Sequence, residues 1–190
     1  MQDGVVVHRL HPPGYEFPVY GKPLWMVGYT LGVAHALHEL MQRHRFDVID
    51  FPEYGGEGFA YQLDRTRWNW VPVVVQLHGS MAMFVEHLGW PEHGSHLHEI
   101  GGFMEAFSLR NADAIMSCSG SAADIASDAY RLDRRAIDVV HCGEQLAIGI
   151  VNREQRIDWR AEPRRQNLAL QLVALLSFEL IHIGILLLVD

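Results

Sequence analysis

The stretch VPVVVQLHGS, residues 71–80, decides the fold. An unbroken β-branched run, Val73-Val74-Val75, reads as a parallel strand covered on both faces, as in α/β proteins. It stops abruptly at His78-Gly79-Ser80. In such sheets ligands sit beyond the carboxyl ends of the strands, where a histidine and a glycine are useful chemistry. His78 is therefore the first candidate functional residue, with Gly79 and Ser80 in the turn after it.

Strand-like and helical runs alternate on either side. Val5–Leu10 (VVVHRL) is the first expected strand, followed by a Pro- and Gly-rich loop through Pro23. Leu31–Arg45 places Val33, Leu37, Leu40 and Met41 at the spacing of an amphipathic helix. Phe46–Phe51 (FDVIDF) is the second strand, ended by Pro52, which cannot donate to a ladder. A short helix over Glu57–Leu63 follows the turn at Gly55-Gly56. Beyond the strand at 71–77, Met81–Ser95 reads as a long His- and Gly-rich loop. Ile100, Phe103, Met104 and Phe107 then recur at i, i+3, i+4 and i+7, the apolar stripe of another helix. Ala114–Ser117 is the fourth strand. Ser121 is placed to cap a helix over Ala122–Arg131, with Asp124 favourable in its first turn. Ile137–His141 is the fifth strand, ending at Cys142-Gly143. This alternation implies an α/β fold: a Rossmann-like parallel sheet with helices on both faces and right-handed crossovers, expected over residues 1–145.

If the strands are parallel, their carboxyl ends share one rim. That rim collects Glu53, Tyr54, Gly55 and Gly56, then His78, Gly79 and Ser80, then Ser119, Gly120 and Ser121, and finally Cys142, Gly143 and Glu144. Small residues there let backbone N–H groups approach a ligand, and the helix starting near Ser121 offers its positive end to an anion. Other motifs fail. Tyr61 occupies the third glycine position after Gly56-Glu57-Gly58, which argues against a dinucleotide fingerprint. Ser117-Cys118-Ser119-Gly120-Ser121 is no nucleophile elbow, which counts against a hydrolase. His87, His93, His96 and His98 with Glu99 match no standard metal-ligand spacing, so no metal site is assigned.

Composition agrees with a globular protein: 190 residues, 49% hydrophobic and 20% charged. A formal charge of -8 without a basic run before the tail makes nucleic acid a poor partner. Two cysteines, Cys118 and Cys142, form no disulfide framework or zinc motif, and a cytoplasmic protein with reduced thiols is expected. An early acid and only a short apolar run in MQDGVVVHRL predict no signal peptide there. Residues 146–190 lack the strand–helix rhythm and stand as an unassigned tail. Within it Leu168–Asp190 is nearly continuous apolar sequence, broken by Glu179 and His182. Two readings stay open for it: a membrane span flanked by Arg160, Arg164 and Arg165, or a buried helix and strand.

Four segments in order, FDVIDFPEYGGEGFAYQL, VPVVVQLHGS, ADAIMSCSGSAADI and IDVVHCGE, resemble the amino-terminal domain of the family 4, GT-B type, retaining glycosyltransferases. The likeness covers about half of the chain, Phe46 to Gly143. It implies a domain that binds the acceptor, facing a second domain that binds a nucleotide-sugar donor, with no metal or other cofactor. By that resemblance His78 lies against the donor sugar near the reacting centre, and Gly79 and Ser80 form the turn after it. Glu53, Tyr54, Gly55 and Gly56 fall where acceptor contacts are usual, and Ser119 opens the helix after the fourth strand. The family's first strand and donor domain are not recognisable, so the resemblance implies an incomplete enzyme, inactive by itself. The alternative is a non-catalytic ligand-binding or interaction module, anchored to a membrane by the apolar tail.

Overall fold

The computed structural model describes residues 6–9, 24–141 and 185–188. Its centre is a four-stranded parallel sheet in the order β2-β3-β4-β5, formed by Ile49–Pro52, Val73–Leu77, Ala114–Ser117 and Ile137–Val139. Helix α2 (Phe59–Asp64) precedes β3, α3 (Met81–Leu88) and α4 (His96–Arg110) connect β3 to β4, and α5 (Gly120–Tyr130) connects β4 to β5. The expected Rossmann-like α/β fold is therefore present. Along β3, Val73, Val75 and Leu77 are fully buried while Val74 and Gln76 are half-buried. One face of this strand thus carries the main core and the other is only partly covered. Val75 sits between Phe51 and Ile115 in the register, and the core spreads from there to Val33 and Leu37 of helix α1 (Trp25–Met41) and to Ala123 and Ala126 of α5.

Several boundaries differ from expectation. The first helix, α1, runs Trp25–Met41 rather than 31–45. Gly28 and Thr30 are weak helix formers, but Met26, Tyr29 and Thr30 are buried, and packing overrides propensity. Strand β2 starts at Ile49 rather than Phe46, since the ladder with β3 opens at Ile49↔Val73 and Pro72 has no N–H to carry it further. The strand at the start of the chain, β1 (Val6–Arg9), does not join the parallel sheet. It pairs antiparallel with β6 (Ile185–Leu188). The last apolar residues of the tail thus form a strand, and the rest of 168–190 lies outside the described residues. Among the described residues no helix is long and apolar enough to cross a membrane.

The supposed loop at 81–95 holds helix α3. Ser80 caps it by accepting the Met83 N–H at 3.3 Å, and Gly89 ends it in the left-handed conformation. Helix α4 is rotated by one residue from its expected face: it buries Gly101, Met104, Glu105, Ser108 and Leu109 and leaves Phe103 63% exposed. Phe103 instead meets the edge of Phe59 at a centroid distance of 6.0 Å. The cap of α5 is Ser119, not Ser121, with Oγ accepting the Ala122 N–H at 3.1 Å.

Candidate functional site at the carboxyl ends of the strands

The rim is built around two carboxylates that the chain keeps inside. Glu53 follows β2, is fully buried, and extends the ladder by donating its N–H to the Gln76 carbonyl at 3.1 Å. Its carboxylate accepts the His78 N–H at 2.8 and 2.9 Å and the Gly79 N–H as well. The turn that ends β3 is therefore wrapped around a carboxylate. Glu105, projecting from α4, is buried equally completely. It accepts the Gly55 N–H at 2.7 Å, the Met81 N–H at 3.0 Å and the Tyr130 hydroxyl. One side chain thus ties the turn after β2, the start of α3 and the end of α5.

The glycines here serve close packing. Gly55 and Gly56 have φ near +66° and +67°, and a Cβ on Gly56 would lie 2.5 Å from the Met104 backbone. Their N–H groups are also engaged, since Gly56 donates to the Glu53 carbonyl at 2.8 Å. The expectation that free backbone N–H groups line the rim is corrected: in these turns the buried carboxylates and a carbonyl already take them. Glu53 and Ser80 likewise turn inward instead of facing a ligand, and Tyr54 packs on Phe84 at 5.3 Å in a methionine-rich cluster.

His78 is different. Its backbone is clasped by Glu53 while its side chain is exposed. Partial desolvation pushes the imidazole below its usual pKa, so at neutral pH it is uncharged, with one nitrogen donating and one accepting. Ser119, half-buried, stands across the neighbouring strand end, and the His141 ring lies 3.2 Å from the Cys118 carbonyl. Cys142, Gly143 and Glu144 fall outside the described residues.

Charge at this end is mostly hidden acid. Burial raises the pKa of Glu53 and of Glu105, and the charge of Glu53 raises Glu105 further, while their backbone donors pull both back. Glu57 is pushed up to about 7 by burial, against a 2.8 Å hydrogen bond from the Tyr29 hydroxyl. All eight arginines between residues 24 and 141 are rooted at the opposite end of the sheet, and this segment has no lysine. Only Arg134 reaches back along α5, where Asp124 takes its guanidinium at 2.6 Å. The histidines of 87–98 form no centre: His93 and His98 stack at 4.8 Å, and the Gly94 N–H donates to His98 Nδ1. No three His, Cys, Asp or Glu side chains among the described residues are arranged to hold a metal.

Sequence reading found the rim but missed what supports it. Glu105 and Tyr130 were hidden because a carboxylate and a phenol on a buried stripe look polar in a linear pattern. The available signal was the spacing 101, 104, 105, 108, 109, which brings Glu105 onto the face of Leu109.

Comparison with protein families matches residues 1–143 to the glycosyl transferase 4-like domain. No curated protein matches the chain. The matched span takes in β1, the whole parallel sheet and every described rim residue. With 143 of 190 residues matched, the likeness reaches well beyond the 46–143 segments that first carried it, and this chain belongs to the family of glycosyl transferase 4-like domains.

Proposed function

We propose that this domain is the acceptor side of a retaining glycosyltransferase, which moves a hexosyl group from a nucleotide-sugar to a hydroxyl of a glycan, lipid or small molecule. His78 stands at the reacting centre, where an uncharged imidazole hydrogen-bonds a sugar hydroxyl and stabilises charge as it develops. Glu53 holds His78 through the backbone. Gly55, Gly56 and Ser80 keep the surrounding turns close-packed beside Tyr54, buried Gly79 lets the turn under His78 close against Met83 and Phe84, and Ser119 lines the surface that a sugar would meet.

The observation that carries this reading is an exposed neutral histidine on a clasped strand-end turn, with no uncommitted guanidinium near it. A diphosphate calls for paired cations, whereas sugar hydroxyls are satisfied by neutral donors and acceptors. The donor's diphosphate is accordingly assigned to residues outside 24–141. Saturation-transfer NMR of the full chain with methyl hexosides tests the assignment. The expected result is saturation of at least one hexoside and a loss of about fivefold in its affinity for His78→Ala, the scale of one hydrogen bond. The melting temperature of the variant should be unchanged. No saturation of any hexoside, or equal saturation by the variant, would overturn it.

A further inference from the structure

We infer that the amino-terminal ends of the parallel strands form a face that docks on an anionic bilayer surface. The helix-to-strand connections converge there in strand order. Arg43 and Arg45 precede β2, and Arg65 and Arg67 precede β3. Arg110 ends α4, while Arg131, Arg134 and Arg135 stand between α5 and β5. Neighbouring strands are about 4.8 Å apart, so the exposed Arg43, Arg45, Arg67, Arg110, Arg131 and Arg135 share one surface, while Arg65 is held inward and Arg134 reaches back to Asp124. The same connections carry Asp47, Asp64, Asp113 and Asp133 beside the eight arginines, so this end is net positive on a chain whose formal charge is -8. Cations at helix C-termini are favoured by the helix dipole, and that accounts for some of them. It does not account for what stands among them.

Trp68 is 82% exposed and Trp70 53%, on the connection that leads into β3. The turn carrying them is braced from within. Asn69 Oδ1 accepts from the Thr66 N–H and, at 2.9 Å, from the Thr66 hydroxyl, which in turn accepts the Trp68 N–H at 3.3 Å. Arg65 anchors its base by donating to Asp113 at 2.6 Å and to the Asn111 carbonyl at 2.7 Å, and its guanidinium lies 3.9 Å over the Trp70 ring. Arg67 covers Trp68 at 4.2 Å. A structured turn therefore holds an indole out in water. Arg43, Arg45, Arg67 and Arg131 are exposed and make no ion pair with any described residue.

Protruding indoles set among unpaired guanidiniums match the headgroup layer of an anionic membrane, where Trp settles at the interface and each cation adds electrostatic attraction. Nucleic acid fits less well. The two indoles are covered by Arg65 and Arg67, and the chain as a whole is acidic.

Flotation of the full chain with phosphatidylcholine vesicles, and with an equal mixture of phosphatidylcholine and phosphatidylglycerol, tests the inference. The chain should float with the mixed vesicles, be released by added salt, and stay behind with phosphatidylcholine alone. Trp68→Ala/Trp70→Ala and, separately, Arg43→Glu/Arg45→Glu should each lower partitioning by about tenfold or more, as loss of interfacial anchors or cations requires. The melting curve of Arg43→Glu/Arg45→Glu should match the parent's, because those side chains are exposed, and Trp68→Ala alone, at the 82% exposed position, should lower partitioning with an unchanged melting curve. Equal binding to both lipids, or binding untouched by either variant, would assign adsorption to another part of the chain and overturn the inference. So would a tryptophan-dependent dimer in sedimentation without lipid, which would make the face a contact between copies.

Discussion

The two ends of the parallel sheet use charge in opposite ways. At the carboxyl ends Glu53 and Glu105 are fully buried, and their partners are backbone N–H groups and a phenol. At the amino ends most arginines are exposed, and the ion pair that Arg134 makes by reaching back along α5 to Asp124 is itself largely open to water. The difference teaches where energy is concentrated. A buried carboxylate stripped of water must be matched donor by donor, so removing it orphans several groups at once. A surface guanidinium keeps its hydration, so removing it changes the field more than the stability.

The largest expected effect follows from the rim. Glu105→Ala leaves two N–H groups and a hydroxyl without their partner, each costing about 1–3 kcal/mol, against relief from burying a carboxylate near Glu53. The net loss should be about 3 kcal/mol, a fall of roughly 6–12 °C in melting temperature for a chain of this size. A fall within scan error would remove the rim's side of the comparison.

The next effect is a pH dependence. Glu57 titrates near about 7 in the folded protein and near about 4.3 unfolded. The folded state therefore binds the proton more tightly. The stability it contributes is complete below the unfolded value and is lost as pH rises through about 7. Glu53 and Glu105 shift in the same direction, whereas His78, with a lowered pKa, costs stability as pH falls through the ordinary histidine range. Melting temperature should therefore drop between about pH 5 and about pH 8, and Glu57→Gln should flatten the drop by of order 2 kcal/mol. A slope that survives Glu57→Gln intact would show that this carboxyl does not carry it.

Smaller effects belong to the other end. Arg65→Lys loses the fork shared by Asp113 and two carbonyls, and should cost about 1–2 kcal/mol by chemical denaturation. Arg134→Ala removes an exposed pair and should change stability by no more than about 0.5 kcal/mol. If Arg134→Ala cost as much as Glu105→Ala, the contrast between the ends would fail.

How much of this could be read in the chain depends on the residue. Strand β4 was legible to the residue, and β3 nearly so, because apolar runs ending in small polar residues have few other uses. The place of His78 at the end of β3 was legible for the same reason. Helix α3 was hidden by its His- and Gly-rich neighbourhood, although Met81, Phe84, Val85 and Leu88 after Ser80 carry a helical stripe. The face of α4 was misread because Phe103 is large and apolar, while the buried position belongs to Glu105. A hydrophobic count cannot see a carboxylate whose burial is repaid by donors 24 to 50 residues away in sequence. The positive end was equally invisible in linear order, since its arginines come in ones, twos and threes that only the topology gathers.

The measurement that bears most directly on the central claim is an amide chemical-shift map of the full chain titrated with methyl hexosides. Saturable shifts are expected at His78, Gly79 and Ser119 and none across Arg65–Trp70. Shifts centred on Trp68 and Trp70 with a silent His78 would contradict that claim, placing sugar recognition at the end of the sheet now assigned to the membrane.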